Sequence, residues 1–261
     1  MAVLPFGLWD VSETFNQAVD FEQEEEEQYE VEDVTKKCQF TVMHKECNML
    51  HGKVMVVAIG KAANAFLEIY YNLPSKHVAE VIVKCGDDAK KSKNKDPCML
   101  YQLSENLLCL MKTYIKAEDC SSWVETVLSA VKVEKLVILC SSAKSFYQGD
   151  EEARFSDHDI LRHMKSSTLQ CDTSVSPLEE GNLVKDIPAA LFSYCEAFNL
   201  PAIMYINYTE SHFIDVFSVK AYKPVLSDAL VKTIPRASDS TILERLKRFE
   251  GIGVADNNLY I

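Results

Sequence analysis

Residues 186–208, DIPAALFSYCEAFNLPAIMYINY, decide the fold, because they read as a helix that runs straight into a buried strand. Asp186 can accept from the free amides of a first helical turn, and Pro188 fits within that turn. Leu191, Tyr194, Cys195 and Phe198 recur at i, i+3, i+4 and i+7, which makes one apolar face. Asn199 suits a left-handed exit from the helix, and Pro201 forbids its continuation. Residues 202–208 are then a near-continuous apolar run rich in Ile and Tyr, the pattern of a strand covered on both faces.

Downstream of this unit, residues 213–222 read as a further strand after a short TESH turn, so the two strands are expected to pair as a hairpin. Thr241 and Glu244 are expected to cap a last helix that turns Ile242, Leu243, Leu246 and Phe249 inward and ends at Gly251. Upstream, residues 141–185 are long and polar, with a short helix expected near 157–164, and should wrap the surface. Residues 38–43 form a first edge strand, and KVMVVAI at 53–59 forms a buried one that ends at Gly60. A helix follows at once, with Ala62, Ala63, Phe66, Leu67 and Tyr70 on one stripe. Residues 81–83, 107–114 and 135–140 are the remaining strands. Ser122 and Glu125 suggest a capping box for a helix bearing Val124, Val127, Leu128 and Val131. No internal repeat is visible.

This alternation predicts an α/β fold, with a mixed, largely parallel central sheet sandwiched between helices. One α/β domain over residues 36–250 carries a disordered acidic N-terminal arm over 1–35 and a flexible C-terminal tail over 251–261. The arm is expected from charge. The 261 residues have a formal charge of -12, and residues 1–35 hold eleven Asp and Glu with no Lys or Arg. Like-charge repulsion around Glu24 to Glu27 opposes packing there. The remaining 28 acids and 27 bases leave the body nearly neutral. General nucleic-acid binding needs a basic stripe to displace phosphate counterions, and only the short segment 84–95 is basic. Nine cysteines without a secretory signal fit free thiols in a reducing compartment, hence a cytoplasmic and also nuclear protein. No segment approaches the ~18 apolar residues of a membrane span.

Three local patterns could carry chemistry. Strand, Gly60, then helix is the geometry of a phosphate-binding turn, with Lys61 beside it, but IGKAANAF supplies one glycine where a dinucleotide fingerprint needs three. Cys38, His44, Cys47 and His51 are possible zinc ligands, yet C-x5-H-x2-C-x3-H is not a usual ligand spacing and strand residues intervene. Ser141 and Ser142 follow a strand, with His158 or His163 as a possible base, but the flanking glycines of a nucleophile elbow are missing. These patterns build no enzyme, and no catalytic residue, cofactor or metal is expected.

The blocks DIPAALFSYCEAFNLPAI, YINYTES and VKAYKPVL resemble the C-terminal half of the proteasome assembly chaperone 1 family. The resemblance covers residues 176–226, is weaker over 54–67, and returns at the end of the chain. It implies a heterodimer with a related second chaperone, proteasome assembly chaperone 2, that binds α-subunits and promotes assembly of the 20S α-ring without turnover. Leu259, Tyr260 and Ile261 end the chain as hydrophobic, tyrosine, any residue, the tripeptide by which similar proteins enter pockets between α-subunits. Leu259 would fill an apolar socket, Tyr260 would stack and donate its hydroxyl, and the Ile261 carboxylate would meet a cation. The alternatives are an enzyme acting on a nucleoside-like substrate, which fold analogy alone supports, and a non-catalytic acidic scaffold.

Overall fold

The computed structural model describes residues 39–44, 49–84, 98–156, 158–210 and 215–257. Its elements run β1 (Gln39–His44), β2 (Leu50–Ile59), α1 (Lys61–Tyr70), β3 (Ala79–Lys84), β4 (Cys98–Leu103), β5 (Asn106–Met111), α2 (Cys120–Ser129) and β6 (Val131–Ala143). The chain continues through α3 (Glu151–Arg154), β7 (Ile160–Lys165), α4 (Asp186–Ala197), β8 (Ala202–Thr209), α5 (Val216–Lys220) and α6 (Asp239–Asn257). The eight strands form one mixed sheet in the order β1-β3-β4-β5-β2-β6-β8-β7. Its centre, β5-β2-β6-β8, is parallel, and the flanking pairs are antiparallel.

The strand period of two divides the apolar residues between two helical layers. Met55 and Val57 of β2, Leu136 and Ile138 of β6, and Met204 and Ile206 of β8 face α2 and α4, where Trp123, Val127, Leu191 and Cys195 meet them. Val56, Val137, Leu139, Ile203 and Tyr205 face the other way, onto Phe66, Leu67 and Tyr70 of α1, Val219 of α5 and Leu246 of α6. Both faces of β8 are therefore covered, as its continuous apolar run requires. Each large side chain so enclosed contributes roughly 1.5–3 kcal/mol of transfer free energy before chain entropy is opposed to it.

Several local expectations are corrected. Of the strand expected over 213–222, the described residues 215–222 form none: Asp215 caps α5 by accepting from the Ser218 amide at 2.7 Å, and Val216, Val219 and Tyr222 are buried at helical spacing. The antiparallel partner of β8 is instead β7, placed where a short helix was expected. Ile160 and Met164 alternate with Leu161 between the two cores, the period of a strand. The strand β4 was missed altogether. It pairs with β3 and β5 and buries Cys98 and Leu100.

Capping differs too. Asp186 is the first residue of α4 at φ 56° and makes no cap, the N-cap position being Lys185. Ser122 and Glu125 lie inside α2, which begins at Cys120, and the Ser122 carbonyl accepts from Thr126 Oγ1 at 2.8 Å. At α6 the cap is Ser238, whose Oγ accepts from the Thr241 amide, while Glu244 pairs with Arg248 one turn on. Helix α6 passes through Gly251 and ends at Asn257, since a glycine costs a helix only about 1 kcal/mol and does not by itself stop it. On α4, Ile187, Leu191 and Cys195 are the buried face, and Phe198 is 66% exposed. Asn199, at φ 54°, does take the left-handed exit.

The acidic arm and the tripeptide Leu259, Tyr260, Ile261 lie outside the described residues, as do Cys38 and Cys47. His44 and His51 are kept apart by the sheet order, which puts β3, β4 and β5 between their strands.

Candidate functional site: the cleft at the carboxyl edge of the sheet

In a parallel sheet the strand ends open toward one edge, and the segments that leave them form a crevice. Here β2 ends at Ile59, β5 at Met111 and β8 at Thr209, while β6 runs on to Ala143. Ile59, Met111, Cys140 and Ile206 floor a cavity of about 520 Å³ at this edge. Gly60 enters its wall at φ 88°, a backbone conformation that a side chain would strain, and starts α1 there without a side-chain cap. A neighbouring hollow of about 590 Å³ shares Ser141, Ser142, Ser145 and Phe146 and extends to Arg154 and Phe155.

The segment between β6 and α4 makes the far wall and is held by a polar cluster. Arg162 Nε donates to Glu179 Oε1 at 2.8 Å, and its Nη2 donates to the Tyr147 hydroxyl at 2.9 Å. That hydroxyl donates in turn to Glu179 Oε1 at 2.6 Å. Burial acts to raise the Glu179 carboxyl, but the hydrogen bonds from Tyr147 and Arg162 outweigh it and hold it below its ordinary value. Asn182 ties the same segment to Gln148 through its side chain.

The floor is chemically quiet. Burial pushes the Cys140 thiol up to about 12 and the Tyr208 phenol likewise up to about 12, so neither ionises near neutrality. The Tyr222 hydroxyl donates to the Cys140 carbonyl at 2.7 Å. Its single proton thus engaged, it accepts the Ser141 hydroxyl at 2.9 Å. The Ser141 proton therefore faces a phenol. His163 lies two strands away on β7, beside the Tyr205 ring, and His158 is exposed, its carbonyl accepting from Lys144 Nζ at 3.0 Å. The serines and histidines singled out in the sequence are not brought together as nucleophile and base. The rim is apolar instead: Tyr114 is 81% exposed, Phe146 63%, Leu183 74% and Phe155 79%. Sequence reasoning missed these residues, which come from separate connecting segments, Phe155 directly after α3; large apolar residues in polar loops were the available signal. Among the described residues no group of His, Cys, Asp and Glu is arranged to hold a metal ion, and no helix is long and apolar enough to cross a membrane.

The family model PAC1, described as Proteasome assembly chaperone 4, matches residues 10–261. The chain belongs to this proteasome assembly chaperone family. Individual relatives carry the name Proteasome assembly chaperone 1. The Homo sapiens protein is 28% identical over 221 residues, covering 78% of this chain and 75% of its own length. The Bos taurus protein is 29% identical over 222 residues with the same coverage. Among solved structures, Pyrococcus furiosus PbaA, an archaeal homolog of proteasome-assembly chaperone, superposes with a TM-score of 0.57 at 10% identity, covering 86% of this chain and 92% of its own. That likeness establishes the family fold, and the cleft described above lies within it.

Proposed function

We propose that the chain acts as a non-catalytic assembly chaperone which pairs with a related second chaperone, proteasome assembly chaperone 2, and binds α-subunits of the 20S core to promote formation of the α-ring. The match of the family model over nearly the whole chain carries this reading. Its place of action is the cytoplasm and the nucleus. Leu259, Tyr260 and Ile261 are the proposed α-ring contact. Two buried side chains at ~2 kcal/mol each and a charge-assisted hydrogen bond of ~2 kcal/mol give about 6 kcal/mol gross, and ordering the chain removes a few of these. Millimolar affinity is what remains, so the tail must act with the body, where tethering can tighten a complex by ~10²-fold.

Three variants test the assignment: deletion of the last three residues, Tyr260→Ala, and addition of one residue after Ile261. Each is expected to weaken α-ring binding by ~10-fold or more while pairing with the second chaperone survives. Unchanged α-ring affinity in all three, measured with the second chaperone present, would remove the tripeptide from the mechanism. The carboxyl-edge cavity also favours a second reading, an enzyme for a nucleoside-like substrate. The engaged Ser141 hydroxyl and the un-ionised Cys140 thiol weigh against it.

A further inference from the structure

Four large apolar side chains stand exposed around one end of the sheet. Tyr114, Phe146 and Leu183 line the 520 Å³ cavity, and Phe146 with Phe155 lines the hollow next to it. Because the two share Ser141, Ser142, Ser145 and Phe146, the patch is continuous. Side chains of this size exposed to between 63% and 81% present on the order of 500 Å² of apolar surface together. The largest apolar patch on a monomer is typically about 300–600 Å² and is often functional. A stable protein interface takes roughly 800 Å² from each partner, about 65% of it apolar at the core, again on the order of 500 Å². The patch therefore has the area of an interface core, with a depression at its centre able to admit a projecting side chain.

The charges around it narrow the occupant. Lys112 is paired with Glu68 at 2.7 Å, and Lys144 with Glu210 at 3.4 Å. Two further cations lie against exposed rings at the rim, Lys185 over Phe146 at 5.3 Å and Arg154 over Phe155 at 6.0 Å, with Asp186 the one additional acid lining the cavities. A second copy of this chain bound symmetrically through the patch would lay this net positive surface on another of the same sign. The helix bearing the tail is rooted elsewhere. Arg245 of α6 donates to the carbonyls of Glu68, Ile69 and Tyr71 at the last turn of α1, whereas the cleft opens at Gly60, before its first turn.

We infer that the carboxyl-edge cleft and its Tyr114, Phe146, Leu183 and Phe155 rim form the docking surface for a different protein chain, one that inserts an apolar side chain flanked by carboxylates. On the proposed function, that chain is the second chaperone. The inference rests on that reading for the identity of the occupant and adds the surface used.

The test takes the full chain and the second chaperone from the same organism, co-expressed and then measured as purified components. Phe146→Glu combined with Leu183→Glu should lower the affinity by ~100-fold or more. Lys185→Glu should slow association several-fold, and salt should slow it for the unaltered chain. Phe217→Glu on α5, where Phe217 is 74% exposed and lines neither cavity, should change neither. Amide exchange in the unaltered chain should slow over 112–115, 141–148 and 183–188 when the second chaperone binds, a readout that needs no variant to fold. Unaltered affinity of the double variant, or no added protection over those segments while the complex forms, overturns the surface and leaves the heterodimer intact. Failure of the unaltered chain to bind the second chaperone overturns both. A homodimer that the double substitution abolishes, or protection conferred by α-subunits alone, overturns the assigned occupant.

Discussion

At the residue scale, His163 shows how the buried wall responds to protons. It is buried on β7, and its Nδ1 has no hydrogen-bond partner. Burial pushes the imidazole below its ordinary value of 6.5, with the Ser176 and Val175 backbone opposing. The folded chain thus holds a neutral ring while the unfolded chain takes up a proton first. The stability this contributes is present above about 6.5 and is lost as pH falls through the lower folded value. Glu179 has the same sign, its contribution being lost below its ordinary 4.5. Urea midpoints of the unaltered chain should therefore fall from pH 7.5 to 5.5, and His163→Asn should flatten that slope. An equal slope in both proteins would contradict the assignment. No such behaviour could be read from the sequence, because burial by β8 and the 166–178 segment is set by pairings distant in the chain.

At the element scale, the legible parts were those whose own period settles them. The stripe Ala62, Ala63, Phe66, Leu67, Tyr70 is buried as read, and the apolar run after Pro201 is β8. The errors arose where composition opposed spacing. Val216, Phe217, Val219 and Tyr222 have the composition of a strand, but Val216, Val219 and Tyr222 are buried and Phe217 is exposed, the helical interval set by the Asp215 cap. Strand β7 carries Arg162 and His163, and its place is fixed by register with β8 more than by its own residues. Arg245 was no part of the reading, although it joins α6 to α1. Its Nη1 meets the carbonyls of Glu68, Ile69 and Tyr71 at 3.0, 3.1 and 2.8 Å, and its Nη2 meets Asn72 Oδ1 at 3.2 Å. A guanidinium on the open carbonyls of a helix end is favourable both as a donor and against the helix dipole. Arg245→Met should cost ~2 kcal/mol in chemical denaturation, and Arg245→Lys somewhat less. A loss below ~0.5 kcal/mol for the methionine variant would mean that α6 is held by Ile242, Leu246 and Phe249 alone.

At the scale of the whole molecule, an α/β fold with a mixed sheet between helical layers was legible because strand and helix periods alternate through most of the chain. The cleft was not. Gly60 after a buried strand and the large apolar residues in polar loops were its local traces, and the rest of the lining comes from the ends of β5, β6 and β8 and from the segment before α4, far apart in sequence. Family membership came from packing sequence, which identifies relatives without displaying a site. The central claim is that the chain works in proteasome assembly as one half of a pair, and native mass spectrometry of the affinity-tagged chain purified from its own cells tests it most directly. The account predicts complexes that contain the second chaperone and α-subunits together, with the α-subunits lost when residues 259–261 are deleted and the second chaperone kept. Recovery of the intact chain alone, or with neither protein in defined stoichiometry, would contradict it.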